Sequence, residues 1–220
     1  MDQGDGRHQR RSLSRRNDGF TSQSGDPSGN ALSAELLPGL VHQNQQGSAD
    51  HPGGEVARLK GAVAAQGLTL EKVLLTHGHL DHASGATKLA REFGIPIEGP
   101  HKDDLFLLED LGRNAKRPGF DDAENCLPTR WLEDGDTVTV GEVEFGVRHC
   151  PGHTPGHVVF FHEGAKIAFV GDVLFKGSIG RCDLPRGNWQ QLIDAITSRL
   201  WPLGDDMQFV PGHGQMSTFG

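Results

Sequence analysis

Hydrophobic and polar positions fall into regular periods along this chain only after about residue 54. Val56, Leu59, Ala62 and Val63 recur at helical spacing and stop at Gly67, which predicts an amphipathic helix. Val73, Leu74 and Leu75 form a continuous apolar run, as a strand buried on both faces would, and the run stops at Thr76. Residues 84–93 read as a helix closed by Gly94, 95–97 as a short strand, and 103–111 as a helix with Asp at its start. A polar connection bearing Pro and Gly covers 112–128. Four strands follow, at 138–140, 143–148, 157–161 and 166–170, separated by glycine turns at Gly141 and Gly164. The last helix is 188–200, with Asn188 as its cap and Leu192, Ile193, Ile196 and Leu200 on one face. A final strand at 208–210 leads into Pro211-Gly212-His213. Helices and strands alternate, so the fold class is α/β, with helices packed on sheet faces.

The first 50 residues break this pattern. They hold 11 hydrophobic residues, against 35% over the whole 220, and consist mainly of Gly, Ser, Gln, Asn, Asp and Arg. Residues 1–50 are therefore expected to be a low-complexity, disordered segment, and residues 51–220 the globular domain. Arg7, Arg10, Arg11, Arg15 and Arg16 cluster there, but Asp2, Asp5 and Asp18 dilute them and no apolar segment follows, so a solvated tail is expected rather than a targeting signal. No run approaches the roughly 18 apolar residues of a membrane span, and the expected location is the cytoplasm. Cys126, Cys150 and Cys182 are odd in number and scattered, and read as reduced thiols. The net charge is −8, and from residue 51 onward 16 basic residues face 23 acidic ones. That balance excludes a large basic footprint for nucleic acid and favours a small-molecule partner, with no membrane involved.

Histidine changes the picture, because the chain holds 12 and they cluster. Thr76-His77-Gly78-His79-Leu80-Asp81-His82 places three imidazoles and a carboxylate within six residues, directly after an apolar strand. Imidazole and carboxylate are preferred ligands of zinc and similar ions, and one tight turn cannot bring all four to a single small ion with good geometry, so two adjacent ions are expected. His77 and His79 are two apart on an extended segment and point to one side, while Asp81 and His82 begin the next helix. Three further pieces each follow an apolar strand: His153 in Pro151-Gly152-His153, Asp172 after Gly171, and His213 after Gly212. Each glycine is expected to keep backbone bulk away from the ion. His157 is read as a residue that pins the third loop, Cys150 as packing, and Trp131, Trp189 and Trp201 as core. Lys176 and Arg181, near Asp172, are the candidate contacts for an anionic substrate.

With these motifs the chain resembles the metallo-β-lactamase-fold hydrolases, and within them the glyoxalase II-like (hydroxyacylglutathione hydrolase-like) group, from about Gly53 to Gly220. The resemblance implies an αββα sandwich. It also implies that His77, His79 and His153 bind a first metal, Asp81, His82 and His213 a second, and that Asp172 bridges them. Two divalent ions, zinc first and iron or manganese otherwise, would hold a bridging hydroxide that attacks the carbonyl of a thioester or ester, with Asp81 orienting it. An Asp at position 172 resembles the glyoxalase II branch rather than most true β-lactamases, and the acidic domain disfavours RNA processing.

Two departures bear on these expectations. Family members place strands before an Asp-Pro-Gly-Gly turn; here the turn is Asp50-His51-Pro52-Gly53-Gly54 and residues 42–49 are polar, so an atypical N-terminal sheet is expected, its opening hairpins missing or unrecognisable. The sequence stops at Gly220, where glyoxalase II carries a helical domain that grips glutathione, so lactoylglutathione is expected to be a poor substrate. Two alternatives stay open: a mononuclear iron persulfide dioxygenase of the same fold, and a catalytically impaired remnant.

Overall fold

The computed structural model describes residues 55–220, apart from Leu68, Ala115, Lys116, Gly119 and Asp122. The expectations for residues 1–50 and for the turn at 50–54 lie outside the described residues.

The chain opens on α1 (Glu55–Gln66) and β1 (Val73–Leu74), followed by the short α2 (Leu80–Ala83), α3 (Ala86–Phe93) and β2 (Ile97–Glu98). Helix α3 begins two residues later than its apolar spacing suggests, and ends at Gly94, whose φ of +67° lets its N–H reach back to Ala90 O. β1 and β2 pair in parallel. The helix expected over 103–111 is broken into a 3₁₀ turn (Lys102–Asp104), α4 (Leu105–Leu108) and a second 3₁₀ turn (Leu111–Asn114). Its cap is the His101 ring, which accepts from Asp103 N, rather than an Asp side chain.

The second half builds β3 (Thr137–Val140), β4 (Val143–His149), β5 (Val158–His162), β6 (Ile167–Gly171), β7 (Leu174–Phe175), β8 (Ser178–Ile179), α5 (Trp189–Ala195), β9 (Gln208–Pro211) and β10 (Ser217–Thr218). Six of these strands form one sheet, in the order β10-β9-β6-β5-β4-β3, antiparallel except for the β6/β9 pair. β7 and β8 make a separate small hairpin. Asn188 caps α5 as expected, its Oδ1 accepting from Gln191 N, and a π-helical turn (Ile196–Leu200) continues the helix.

Alternation along the strands sets the layers. On β5 and β6, Val158, Phe160, Ile167 and Phe169 face the small sheet and pack with Leu74 and Leu132. Their neighbours Val159, Phe161, Ala168 and Val170 face the other way, onto Leu192, Ala195, Ile196 and Leu200 of α5 and the turn after it. Leu89 and Ala90 of α3 and Val56 and Val63 of α1 cover the outer face of the small sheet. The result is an α/β/β/α sandwich, which is why β5 and β6 read as unbroken apolar runs. Phe145, Phe160, Phe169 and Phe209 are buried outright, each worth roughly 1.5–3 kcal/mol of transfer free energy. Cys150 packs in this core as expected. Two tryptophans do not: Trp189 is 60% exposed and Trp201 52%, because each falls on the solvent side of its helical turn.

β4 and β6 run the same way, each antiparallel to the β5 between them, and β9 is parallel to β6. Their C-terminal ends therefore lie along one edge of the large sheet. The end of β1 joins that edge through a hydrogen bond from Val158 N to Thr76 O of 2.8 Å.

Candidate metal centre

Five of the seven residues expected to bind metal sit just past one of those strand ends. His77 and His79 follow β1, His153 follows β4, Asp172 follows β6 and His213 follows β9, while Asp81 and His82 lie on α2. The fold brings them together in three overlapping groups: His77, His79 and His153; Asp81, His82 and His213; and His77, His82 and Asp172. His79 Nδ1 lies 2.9 Å from His153 Nε2, and His82 Nε2 lies 3.2 Å from His213 Nε2. Asp81 Oδ2 is 3.1 Å from His213 Nε2 and 3.6 Å from His82 Nε2. Asp172 stands between the groups: Oδ1 is 3.5 Å from His82 Nε2, and Oδ2 is 3.5 Å from His153 Nε2 and 3.7 Å from His213 Nε2.

Three observations test whether these residues fit divalent ions. Two nitrogens sharing a tetrahedral zinc at 2.0–2.1 Å lie about 3.4 Å apart, close to the spacings found here. His77 is fully buried and its Nε2 has no hydrogen-bond partner, a costly state for an inward-facing acceptor unless a cation takes its lone pair. His153 donates from Nδ1 to Arg181 O over 2.8 Å, which fixes its tautomer and leaves the Nε2 lone pair aimed into the group. The donor set therefore fits divalent metal.

The electrostatics divide the groups. Burial pushes the pKa values of His77 and His153 below the ordinary imidazole value, and lowers His79 from 6.5 to about 4, with the neighbouring His153 adding to the effect. These rings stay neutral and ready to ligate. His213 is raised instead, chiefly by its hydrogen bond to Asp81. Burial alone would raise Asp81 and Asp172, but the His213 bond together with the nearby His82 and His213 charges outweighs it at Asp81, and His82, His153 and His213 outweigh it at Asp172, whose carboxyl is held far below the usual range.

The glycines act differently from expectation. A Cβ on Gly152, at φ +139°, would run into the Leu192 backbone of α5. One on Gly171 would lie 2.7 Å from His157 Nε2 and Thr76 Oγ1. Only at Gly212 would it strike the ligand group itself, meeting Asp172 Oδ1 and approaching His82 Cε1 to 2.7 Å. Gly152 and Gly171 thus let loops dock on neighbouring elements, and Gly212 alone keeps bulk off the ligands.

His157 reaches beyond its own turn. Its Nε2 accepts from Asp172 N at 3.0 Å, and its ring stacks on His77 with centroids 4.6 Å apart. The two cations read as substrate contacts are also separated. Arg181 lies on the wall of the central cleft, but its guanidinium is tied to Asp183 by two bonds of 2.7 and 2.8 Å, and it is the Arg181 carbonyl that serves the metal group. Lys176 lines an adjoining hollow of about 430 Å³ with Phe175, Ser178, His213, Gly214 and Gln215. The cleft over the ligands, about 630 Å³, is walled by Leu80, Phe175, Ile179 and Leu184.

An αββα sandwich carrying this His/Asp group at one edge defines a class, and a family profile agrees: residues 49–213 match the metallo-beta-lactamase superfamily. The chain belongs to that superfamily and is a metal-dependent hydrolase of its glyoxalase II-like kind. It is 44% identical over 170 residues to hydroxyacylglutathione hydrolase GloC of Haemophilus influenzae, covering 77% of this chain and 80% of that one. Among solved structures it is similar to TTHA1623 in a di-iron-bound form, with 37% identity, a TM-score of 0.66, and coverage of 77% of this chain and 82% of the other. It is also similar to the BLEG-1 B3 metallo-beta-lactamase, with 32% identity, a TM-score of 0.68, and coverage of 77% and 81%. No helix among the described residues is long and apolar enough to cross a membrane.

Proposed function

We propose that this protein hydrolyses a thioester at a two-metal centre, with His77, His79 and His153 on one ion, Asp81, His82 and His213 on the other, and Asp172 between them. The observation that carries the reading is Asp172, whose two oxygens lie 3.5–3.7 Å from ring nitrogens of both groups, as a shared ligand requires. Divalent ions bound there, zinc first and iron or manganese otherwise, supply Lewis acidity and a water acidic enough to ionise near neutral pH.

The chain's own residues do the rest. Asp81, ionised and 3.1 Å from His213, faces the cleft, where it orients the attacking water. Phe175, Ile179 and Leu184 limit water around the acyl group, which sharpens every charge interaction beneath them. With Arg181 engaged by Asp183, Lys176 is the cation placed to meet an anionic group on the thiol arm of the substrate. Against the expectation that lactoylglutathione is a poor substrate, the Haemophilus relative supports a glutathione thioester, since it carries that activity in its name and is matched over 80% of its length.

Elemental analysis of the full chain, with thiol release from a 2-hydroxyacyl glutathione thioester, tests the reading. About two ions per chain and release that depends on them are expected. In Asp172→Ala both ions should bind weakly and release should stop. One iron per chain with oxygen uptake on a persulfide, or faster opening of a β-lactam than of any thioester, would overturn it.

A further inference from the structure

One fully buried charged side chain has no part in the ligand groups. Asp104, at the end of the 3₁₀ turn before α4, accepts three hydrogen bonds, from Gly78 N to Oδ2 at 2.8 Å, from Thr154 Oγ1 to Oδ2 at 2.8 Å, and from Gly156 N to Oδ1 at 2.6 Å. Gly78 lies between His77 and His79 on the loop leaving the small sheet, and Thr154 follows His153 on the loop between β4 and β5 of the large sheet. The carboxylate therefore joins the two halves of the sandwich at the point where each delivers ligands to the same ion.

We propose that Asp104 is a positioning residue for the metal centre, a buried carboxylate that sets the two ligand loops in the register bringing His79 and His153 to one ion. This inference rests on the two-metal reading above.

The backbone around it is built for that contact. A Cβ on Gly156 would lie 2.6 Å from Asp104 N and 2.7 Å from Asp104 Cγ, and one on Gly78 would lie 2.9 Å from Leu107 Cβ and 3.3 Å from Asp104 O. Both motif glycines thus allow the loops to close on the Asp104 segment. A backbone pair from the same segment braces the second loop, with His101 N donating to Gly156 O at 3.0 Å. The Val158 N to Thr76 O bond and the His157 ring stacked on His77 join the two loops directly, and the Asp104 segment adds a further link between them. A carboxylate suits the position because three donors converge on two oxygens, and an amide would turn an N–H toward one of them. Burial pushes the Asp104 pKa up to about 6, with the three donors opposing it.

Zinc titrated into the chelator-stripped full chain against a colorimetric chelator tests the proposal, with the melt of the metal-free protein followed in parallel. In Asp104→Asn the metal-free chain should still melt cooperatively, zinc affinity should fall about 10–100-fold, and kcat should fall with little change in KM. Thr154→Val removes one of the three bonds at nearly constant volume and should lose about tenfold; it carries the test if Asp104→Asn does not fold. Val138→Ala, in the core far from the loops, is the control for destabilisation alone. Zinc affinity within twofold of wild type in both loop variants would overturn the proposal, as would an equal loss in the Val138→Ala control. A wild-type chain that takes up neither zinc, iron nor manganese would overturn the two-metal reading and this inference together.

Discussion

Acid should strip the two metal groups one after the other. Zinc competes with protons for each imidazole, so a ring of ordinary pKa 6.5 is about 90% protonated at pH 5.5 and weakens its ion about tenfold. His79, lowered to about 4, is only about 3% protonated at that pH and exacts almost nothing, and His77 and His153 are lowered by the same burial. His213 is raised by its bond to Asp81, so its group is weakened more over the same interval than a ring of ordinary pKa would weaken it. Dialysis of zinc-loaded protein against a weak chelator from pH 7.5 to 4.5, with zinc counted per chain, should show a plateau near one ion before the last is lost. His213→Ala should start on that plateau. Release of both ions in a single step near pH 6.5, or a surviving ion that depends on His213 and not on His79, would refute the argument.

Metal-free protein should lose stability as pH falls from 6.5 toward 4, because the unfolded chain takes up protons on imidazoles that the folded chain keeps neutral. His79 accounts for about 3 kcal/mol of loss by pH 4, while Asp104, raised to about 6, works the other way, so the measure is the difference between the wild-type and His79→Gln denaturant midpoints; no pH dependence of that difference between 6.5 and 4 would contradict the burial assigned to the ring. Gly212→Ala should fold normally yet lose zinc from the group containing His82 and Asp172, since the new methyl occupies the space beside both; unchanged zinc content would contradict it. His157→Phe keeps an aromatic ring against His77 but offers no acceptor to Asp172 N, and should weaken metal binding by about 10–100-fold in the same chelator competition.

The residues that converge at the sheet edge were legible in the sequence because most of them follow an apolar run, and imidazoles beside a buried strand end have few other uses. The long strands were legible for a related reason: β5 and β6 are covered on both faces, so burial writes itself as continuous hydrophobicity. The β7–β8 hairpin left no such trace, since its strands have two residues each and sit at the cleft rim. Asp104 drew no reading of its own within the expected 103–111 helix, because its partners lie 26, 50 and 52 residues away and no local spacing encodes them. Gly152 and Gly171 were misread for the same cause, their steric neighbours being Leu192 and the pair His157 and Thr76. A glycine's freedom is visible in sequence, but the element that needs the room is not.

The β7–β8 hairpin leaves Asp172 and returns within a few residues, closed by a 3.2 Å bond from Gly180 N to Val173 O. Phe175, Ser178 and Ile179 of this hairpin line the cleft, Lys176 at its tip lines the neighbouring hollow, and none of them belongs to the ligand groups. On the proposed reading, most of the rim that meets substrate is thereby carried by a stretch of chain distinct from the proposed metal ligands, with Leu80 the exception. On that reading, exchange of this short hairpin between relatives redirects the scaffold toward a new acyl or thiol partner while the proposed ligand groups stay untouched.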